Sequence, residues 1–273
     1  MVIGVFDSGF GGLTILRELI RQLPEYDFIY LGDNARAPYG TRSFETVYQY
    51  TLQAVKKLFE LDAKLVILAC NTASAKALRT IQQKDLPQLD SSRRVLGVIR
   101  PSVEAIGELT KTKHVGILAT PGTVSSRSYE LEIKKLFPDM NVFQQACPMW
   151  VPLVENGEHL NPGADYFVNK CILKLLEQSS MIDTVILACT HYPLLLPKIK
   201  KFLPKQIKIV SQGPIVAQSL KQYLIRHPEI ERFLTKNSTV RFFTTDVPEQ
   251  FDLQAIKYLG PDIKVNSQKV VLV

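Results

Sequence analysis

Two stretches of this chain are near copies of each other: Leu65–Thr72 (LVILACNT) and Thr184–His191 (TVILACTH), 119 positions apart (189 − 70). Each is a short apolar run that stops at a cysteine and passes into small polar residues. Runs rich in Val, Ile and Leu, without polar alternation, read as strands covered on both faces. A second pair extends the repeat. Val2–Gly9 (VIGVFDSG) resembles His114–Pro121 (HVGILATP), 112 positions apart (116 − 4). One loop absorbs the seven-residue difference between the offsets. Two similar halves are therefore expected, each carrying a thiol at the end of an equivalent strand.

The rest of the chain fits this plan. Strand-like runs at 2–6, 27–31, 64–69, 95–98, 114–119, 141–146, 183–188, 207–210 and 239–243 alternate with helix-like segments. Those segments lie near 12–22, 43–60, 73–83, 101–109, 123–136, 163–178, 193–203, 214–226 and 248–258. Such alternation predicts an α/β protein with largely parallel sheets. The expected division is a first α/β domain of residues 1–97 plus 211–273 and a second of residues 98–210. Its boundaries fall near Gly97–Val98 and Ser211–Gly213, where no low-complexity linker marks them. Ligands of open α/β sheets bind beyond the carboxyl ends of the strands. The residues there are Asp7 and Ser8, Asp33 and Asn34, Cys70 to Thr72, Ala119 and Thr120, and Cys189 to His191. Two facing halves would gather them around one interdomain cleft.

Several function classes are disfavoured. No apolar run reaches the ~18 residues that suggest a membrane span. The start, Met1–Asp7, reads directly as a strand without a basic n-region, so a cytoplasmic address is expected. The four cysteines fit neither a CxxC pair nor a zinc set with nearby His ligands, and free thiols with no bound metal are expected. The net charge of +7 raises nucleic acid as a partner, but the Lys and Arg residues are dispersed. The densest cluster, Lys198, Lys200 and Lys201 with Lys205 and Lys208, reads as a solvated face without aromatic interleaving.

Cys70 and Cys189 are the leading chemical candidates. A single free cysteine is usually a small buried hydrophobe. Two at equivalent strand ends, each followed by residues able to cap a helix, suggest a shared role. Asn71 and Thr72 are expected to cap the helix after Cys70, and Thr190 to do the same after Cys189. A thiol at a helix N-terminus feels the positive end of the dipole, which favours thiolate. A modestly lowered pKa would make each sulfur a usable base and, protonated, a matched acid.

The turn Asp7–Thr14 is glycine-rich but lacks the GxGxxG spacing and the Gly-Lys-Ser/Thr ending of nucleotide loops. The helix it opens still suits a carboxylate at its N-terminus. Asp7 reads as a plain cap, as an acceptor for an ammonium or as a group that orients a thiol. Pro38 and Gly40 stiffen and turn the loop after Asp33, and Tyr39 either walls a pocket or packs. His191 stands beside a candidate base and is placed to tune it. Glu155 lies in a turn-rich stretch, Val151–Gly157, where the plain expectation is an exposed loop carboxylate. Cys147, before a proline, and Cys171, on the apolar side of a helix, read as structural.

Together these segments resemble the glutamate racemases, cofactor-independent members of the aspartate/glutamate racemase superfamily. The resemblance covers nearly the whole chain. It rests on Phe6–Thr14, Gly32–Asp33 with Pro38–Gly40, Cys70–Ser74, Ala119–Thr123, Leu153–Gly157 and Cys189–Pro193, six motifs in order. It implies two pseudosymmetric α/β domains with one active site between them. It further implies that Cys70 and Cys189 are the acid/base thiols, with Asp7 assisting Cys70, His191 assisting Cys189, and Glu155 near the second thiol. Ser8, Pro38, Tyr39, Gly40, Asn71, Thr72, Thr120, Thr123 and Thr190 resemble substrate-binding positions. The implied activity is racemisation of glutamate without a cofactor, supplying D-glutamate for peptidoglycan, in a homodimer. Two departures stand out. Ala188 precedes the second cysteine where many members have Gly, and Ser211–Gln212 stands where members often carry Asp. The rivals are a related decarboxylase or isomerase, a racemase of aspartate or another amino acid, and a non-catalytic polyanion binder.

Overall fold

The computed structural model describes every residue from Met1 to Val273. Ten strands form two sheets. They are β1 (Val2–Asp7), β2 (Phe28–Gly32), β3 (Ala63–Leu68), β4 (Arg94–Gly97) and β5 (His114–Ala119). Then come β6 (Asn141–Ala146), β7 (Thr184–Ala188), β8 (Lys208–Val210), β9 (Val240–Thr244) and β10 (Ser267–Lys269). The larger sheet has the order β10-β9-β2-β1-β3-β4 and the smaller β6-β5-β7-β8. Every ladder is parallel.

The repeat seen in the sequence is a repeat of topology. The run β2-β1-β3-β4 matches β6-β5-β7-β8 position for position, with β1 equivalent to β5 and β3 to β7. β9 and β10 extend only the larger sheet, beyond β2. Because β1, β3 and their counterparts are central strands covered on both faces, almost all their side chains are buried. Each fully buried Leu, Ile or Val contributes on the order of 1.5–3 kcal/mol. That burial fixes the register, and with it the height at which each cysteine leaves its sheet.

Helices cover both sheets. The Phe44–Glu60 helix begins at Ser43, whose hydroxyl accepts from Thr46 N at 3.1 Å. It lays Val47, Val55 and Leu58 over the larger sheet. The Gln212–Arg226 helix packs on the Leu13–Gln22 helix and also on the Ile99–Leu109 helix. The largest core cluster accordingly runs through both halves, from Val5 to Leu118 and Val185. No helix is long and apolar enough to cross a membrane. In the basic cluster, Lys198 and Lys201 clasp the Asp165 carboxylate.

Four expectations need correction. The helix expected over 73–83 starts at Asn71 and continues irregularly, through a π-helical turn at Ile81–Asp85, to Leu89. The helix expected over 123–136 is two helices, Pro121–Ser125 and Ser128–Leu136, because Arg127 is left-handed (φ 55°). Glu155 does not lie in a loop. It ends a short helix, Trp150–Glu155, whose single turn and a half is too brief to show a helical period. The polar strand β10 (Ser267–Lys269) carries no hydrophobic signal and was not expected.

Candidate active site

A cavity of about 70 Å³ lies where the carboxyl ends of the two sheets face each other, and both Cys70 and Cys189 line it. Cys70 leaves the larger sheet just after Ala69, whose N–H still bonds Phe6 O at 2.8 Å. Its sulfur takes the position of a helix cap, accepting from Ala73 N at 3.4 Å. Asn71 and Thr72, expected as caps, are the first helical residues instead. The Cys70 thiol donates to Ser8 Oγ at 3.5 Å. Its pKa is not lowered. Burial, reinforced by the Asp7 charge, pushes it up to about 12 against the opposing bonds from Ser8 and Ala73. Desolvation thus outweighs the cap that was expected to favour thiolate.

The second thiol has different company. Cys189 Sγ lies 3.9 Å from His191 Nδ1, and His191 Nε2 lies 3.1 Å from Glu155 Oε1. Burial alone would lower the imidazole pKa, but Cys189 and Glu155 raise it to about 10. His191 is therefore cationic at neutral pH, with one N–H directed to the sulfur and the other to the carboxylate. Glu155 reaches this place because its helix is anchored by Trp150. That indole is fully buried, meets Tyr192 edge-on at 4.7 Å and donates to Phe167 O at 3.2 Å. Thr190 does not cap a helix. Its hydroxyl donates to Asp7 Oδ1 at 3.4 Å.

Asp7 is wholly buried and does not line the cavity. It accepts Gly9 N at 3.0 Å, and burial raises its pKa in spite of the nearby His191 charge. The turn that follows it grips the other half. Thr14 Oγ1 donates to Thr190 O at 3.0 Å. At Gly11 the approach is so close that a Cβ would stand 2.2 Å from Thr190 Oγ1 and 2.5 Å from His191 Nδ1. Only glycine fits there.

The opposite wall is a second meeting of the halves. Thr72 Oγ1 and Thr120 Oγ1 are 2.9 Å apart, and Thr120 donates to Thr123 Oγ1 at 3.0 Å. Thr123 sits behind this pair rather than on the cavity surface. Gly40 O accepts from Gly122 N at 2.7 Å, so the Pro38–Gly40 loop reaches across. Tyr39 both lines the cavity and packs, with its ring 6.2 Å from Phe6. Its hydroxyl donates to Asp33, which also takes Arg36 Nε at 2.7 Å and Thr245 Oγ1 at 2.9 Å. That carboxylate ties the loop to β2 and β9.

Cys147, read as structural, lines the cavity together with Val151 and Pro152. It follows β6 directly, so the strand-end rule that picked out the other residues applied to it as well. Asn71 also lines the cavity, but its side-chain amide is held by Gln212 and Tyr129. No group of three or more His, Cys, Asp or Glu side chains is arranged to hold a metal ion. Two sulfurs reaching one cavity from different sheets, one beside an imidazolium and one held as a thiol, suit proton transfer to and from a molecule bound there.

Known proteins resemble this chain over nearly its full length. A model of the Asp/Glu/hydantoin racemase family matches residues 3–220. A glutamate racemase from Geobacter metallireducens is 39% identical over 258 residues, spanning 94% of this chain and 92% of that protein. The crystal structure of glutamate racemase isoform RacE1 from Bacillus anthracis is 38% identical with a TM-score of 0.88, covering 98% of this chain and 97% of that one. Glutamate racemase from Francisella tularensis in complex with D-glutamate is 32% identical with a TM-score of 0.87, covering 99% and 97%.

Proposed function

The chain belongs to the Asp/Glu/hydantoin racemase family, and from that premise we propose that it interconverts L- and D-glutamate by proton transfer at Cα between Cys70 and Cys189. The observation that carries this reading is the shared cavity, which the two sulfurs enter from equivalent ends of two different sheets. In it, Cys189 takes the α-proton of the L form and Cys70 that of the D form, and the opposite thiol reprotonates the planar intermediate. The surroundings of the two sulfurs support a division of labour. Cys70, with its pKa near 12, rests as the acid, and Cys189 rests beside the His191 cation, an arrangement that activates a cysteine.

The α-proton of an amino acid is very weakly acidic, so fixed donors in a dry site must stabilise the developing carbanion. The hydroxyls of Ser8, Thr72, Thr120 and Thr190 and the amides near Asn71 are the groups placed for the substrate carboxylates. Glu155 holds His191. Asp7 acts from behind, through Thr190 and its charge on Cys70. Residues 1–97 with 211–273, and 98–210, form the two domains whose closure excludes water. The chemistry uses no cofactor. On family resemblance we assign a cytoplasmic homodimer that supplies D-glutamate for peptidoglycan and so serves cell-wall biogenesis and cell shape.

The test is incubation of L-glutamate, D-glutamate or L-aspartate with the protein in deuterated water, without added cofactor. Decay of optical rotation with loss of the α-proton signal is expected for both glutamates. Cys70→Ala and Cys189→Ala should each abolish interconversion. Full activity in either variant removes the two-thiol assignment, and faster turnover of aspartate removes the substrate assignment.

A further inference from the structure

We infer that Gln212 and Tyr129 are positioning residues for Cys70, acting through the Asn71 side chain; for its catalytic consequence this rests on the racemase reading above. Three buried side chains close a ring. Asn71 Nδ2 donates to Gln212 Oε1 at 2.6 Å, Gln212 Nε2 donates to Tyr129 OH at 2.8 Å, and Tyr129 OH donates to Asn71 Oδ1 at 2.7 Å. Ser102 fixes the sense of the ring. Its hydroxyl donates to Val98 O at 2.7 Å, so it is left to accept from Gln212 Nε2, also at 2.7 Å. With that bond assigned, the oxygen and nitrogen ends of both amides follow.

The ring sits where the chain passes between its halves. Val98 and Ser102 lie at the first crossing, Gln212 at the second, and Tyr129 on the Ser128–Leu136 helix of the second half. Asn71 belongs to the first half and follows Cys70 directly. Its backbone opens the turn in which Ala73 N–H holds the Cys70 sulfur. Pulling on the Asn71 amide therefore pulls on the turn that aims this thiol. Gln212, Tyr129 and Ser102 are at most 3% exposed and stand off the cavity that Asn71 lines, so a partner lost behind Asn71 is not readily replaced by solvent and a broken ring must rearrange. Cys189 is aimed by other contacts, those of His191, Glu155 and the Gly11 turn. Damage to the ring should fall on one proton transfer and leave the other.

That one-sidedness is measurable. The equilibrium constant of a racemase is one, so kcat/KM must fall equally in both directions. We expect a loss of about tenfold to a hundredfold for Gln212→Leu, the scale of a small misplacement of a reacting group. The isotope effects must part. If transfer at Cys70 becomes limiting, the primary effect with α-deuterated D-glutamate rises. With α-deuterated L-glutamate it falls towards one, because that C–D bond breaks at Cys189 in a step that is no longer limiting. A purely structural role would lower activity and leave both effects where they were. Tyr129→Phe removes a single oxygen and should give the same signature more weakly; it decides the matter if Gln212→Leu does not fold. Alkylation by iodoacetamide, read at each cysteine by mass spectrometry, needs no turnover. Reaction at Cys70 should quicken several-fold in either variant and that at Cys189 should not. Unchanged isotope effects and unchanged Cys70 alkylation in a folded Tyr129→Phe protein would overturn the proposal. A wild-type protein that fails to exchange the α-proton of glutamate would instead remove the racemase reading, with the alkylation result still deciding whether the ring aims Cys70.

Discussion

A methyl group at Gly11 should act as a wedge between the halves. Its Cβ would meet Thr190 Oγ1 at 2.2 Å and His191 Nδ1 at 2.5 Å, where ordinary contact begins at 3.4 Å. The imidazole must therefore retreat by about 0.9 Å (3.4 − 2.5) and the hydroxyl by about 1.2 Å (3.4 − 2.2), unless the halves part by as much. The Gly11 backbone is outside the left-handed region, so alanine brings no strain of its own and the collision is the whole effect. His191 holds Glu155 at 3.1 Å and faces Cys189 at 3.9 Å, and a displacement near 1 Å forfeits both arrangements. Misplacement on that scale costs on the order of 10²-fold in rate, and overpacking a close-fitted site costs ~1–3 kcal/mol of stability. Gly11→Ala is thus expected to lower kcat/KM about a hundredfold in polarimetric initial rates, together with a modest fall in unfolding midpoint. Gly9→Ala in the same turn is the control. Its Cβ would meet Glu155 Oε1 at 3.5 Å and Ala37 Cβ at 3.8 Å, both ordinary contacts, so nearly normal turnover is expected. A Gly11→Ala enzyme within about threefold of wild type, the spread expected from context alone, would refute the argument that this approach sets the position of His191.

Two further outcomes follow from groups already described. The His191 pKa is raised to about 10 in the folded protein from an unfolded value of ~6.5. A raised pKa means the folded state binds the proton more tightly, so this stabilisation is complete below pH ~6.5 and is lost as pH climbs through about 10. The Cys70 thiol, pushed up to about 12, has the same sign over the window above ~8.5. Urea midpoints should accordingly fall between pH 7 and 10, and the fall should shrink in His191→Asn; a flat profile in wild type would contradict both assignments. Trp150→Ala should cost ~3–5 kcal/mol in urea unfolding and lower activity by more than the loss of folded protein explains, because this indole anchors the helix that brings Glu155 to His191. Activity falling only in step with the folded fraction would show that Glu155 is held some other way.

Much of this architecture was legible because doubly covered parallel strands leave unbroken apolar runs. All nine expected strands are present, and the equivalence of β1 with β5 and of β3 with β7 follows the duplicated segments. The residues at strand ends were legible for the same reason, and Cys147, directly after β6, stands at such an end. What the sequence concealed was decided by contacts distant along the chain. Asn71 is an ordinary capping residue by type, yet Gln212 and Tyr129, 141 and 58 positions away, hold its amide. The Cys70 thiol was expected to be acidified by its helix, but depth of burial, which no local pattern encodes, moved it the other way. Trp150–Glu155 is only a turn and a half long, too short to persist by propensity, so the helix exists through the packing of Trp150.

A catalyst for the exchange of two mirror images would ideally be its own reflection, and a chain of L-residues cannot be reflected. The nearest device open to it is repetition: the arrangement β2-β1-β3-β4, repeated as β6-β5-β7-β8, brings like strand ends, and the cysteine at each, to one cavity. A repeated segment keeps its handedness, so it can bring a second sulfur to the same cavity but cannot surround it with enantiomeric neighbours. Exact copies would give both sulfurs the same neighbours; Thr72 stands where the second copy has His191, so Ser8 on one flank and a His191–Glu155 couple on the other mark where the two copies have diverged.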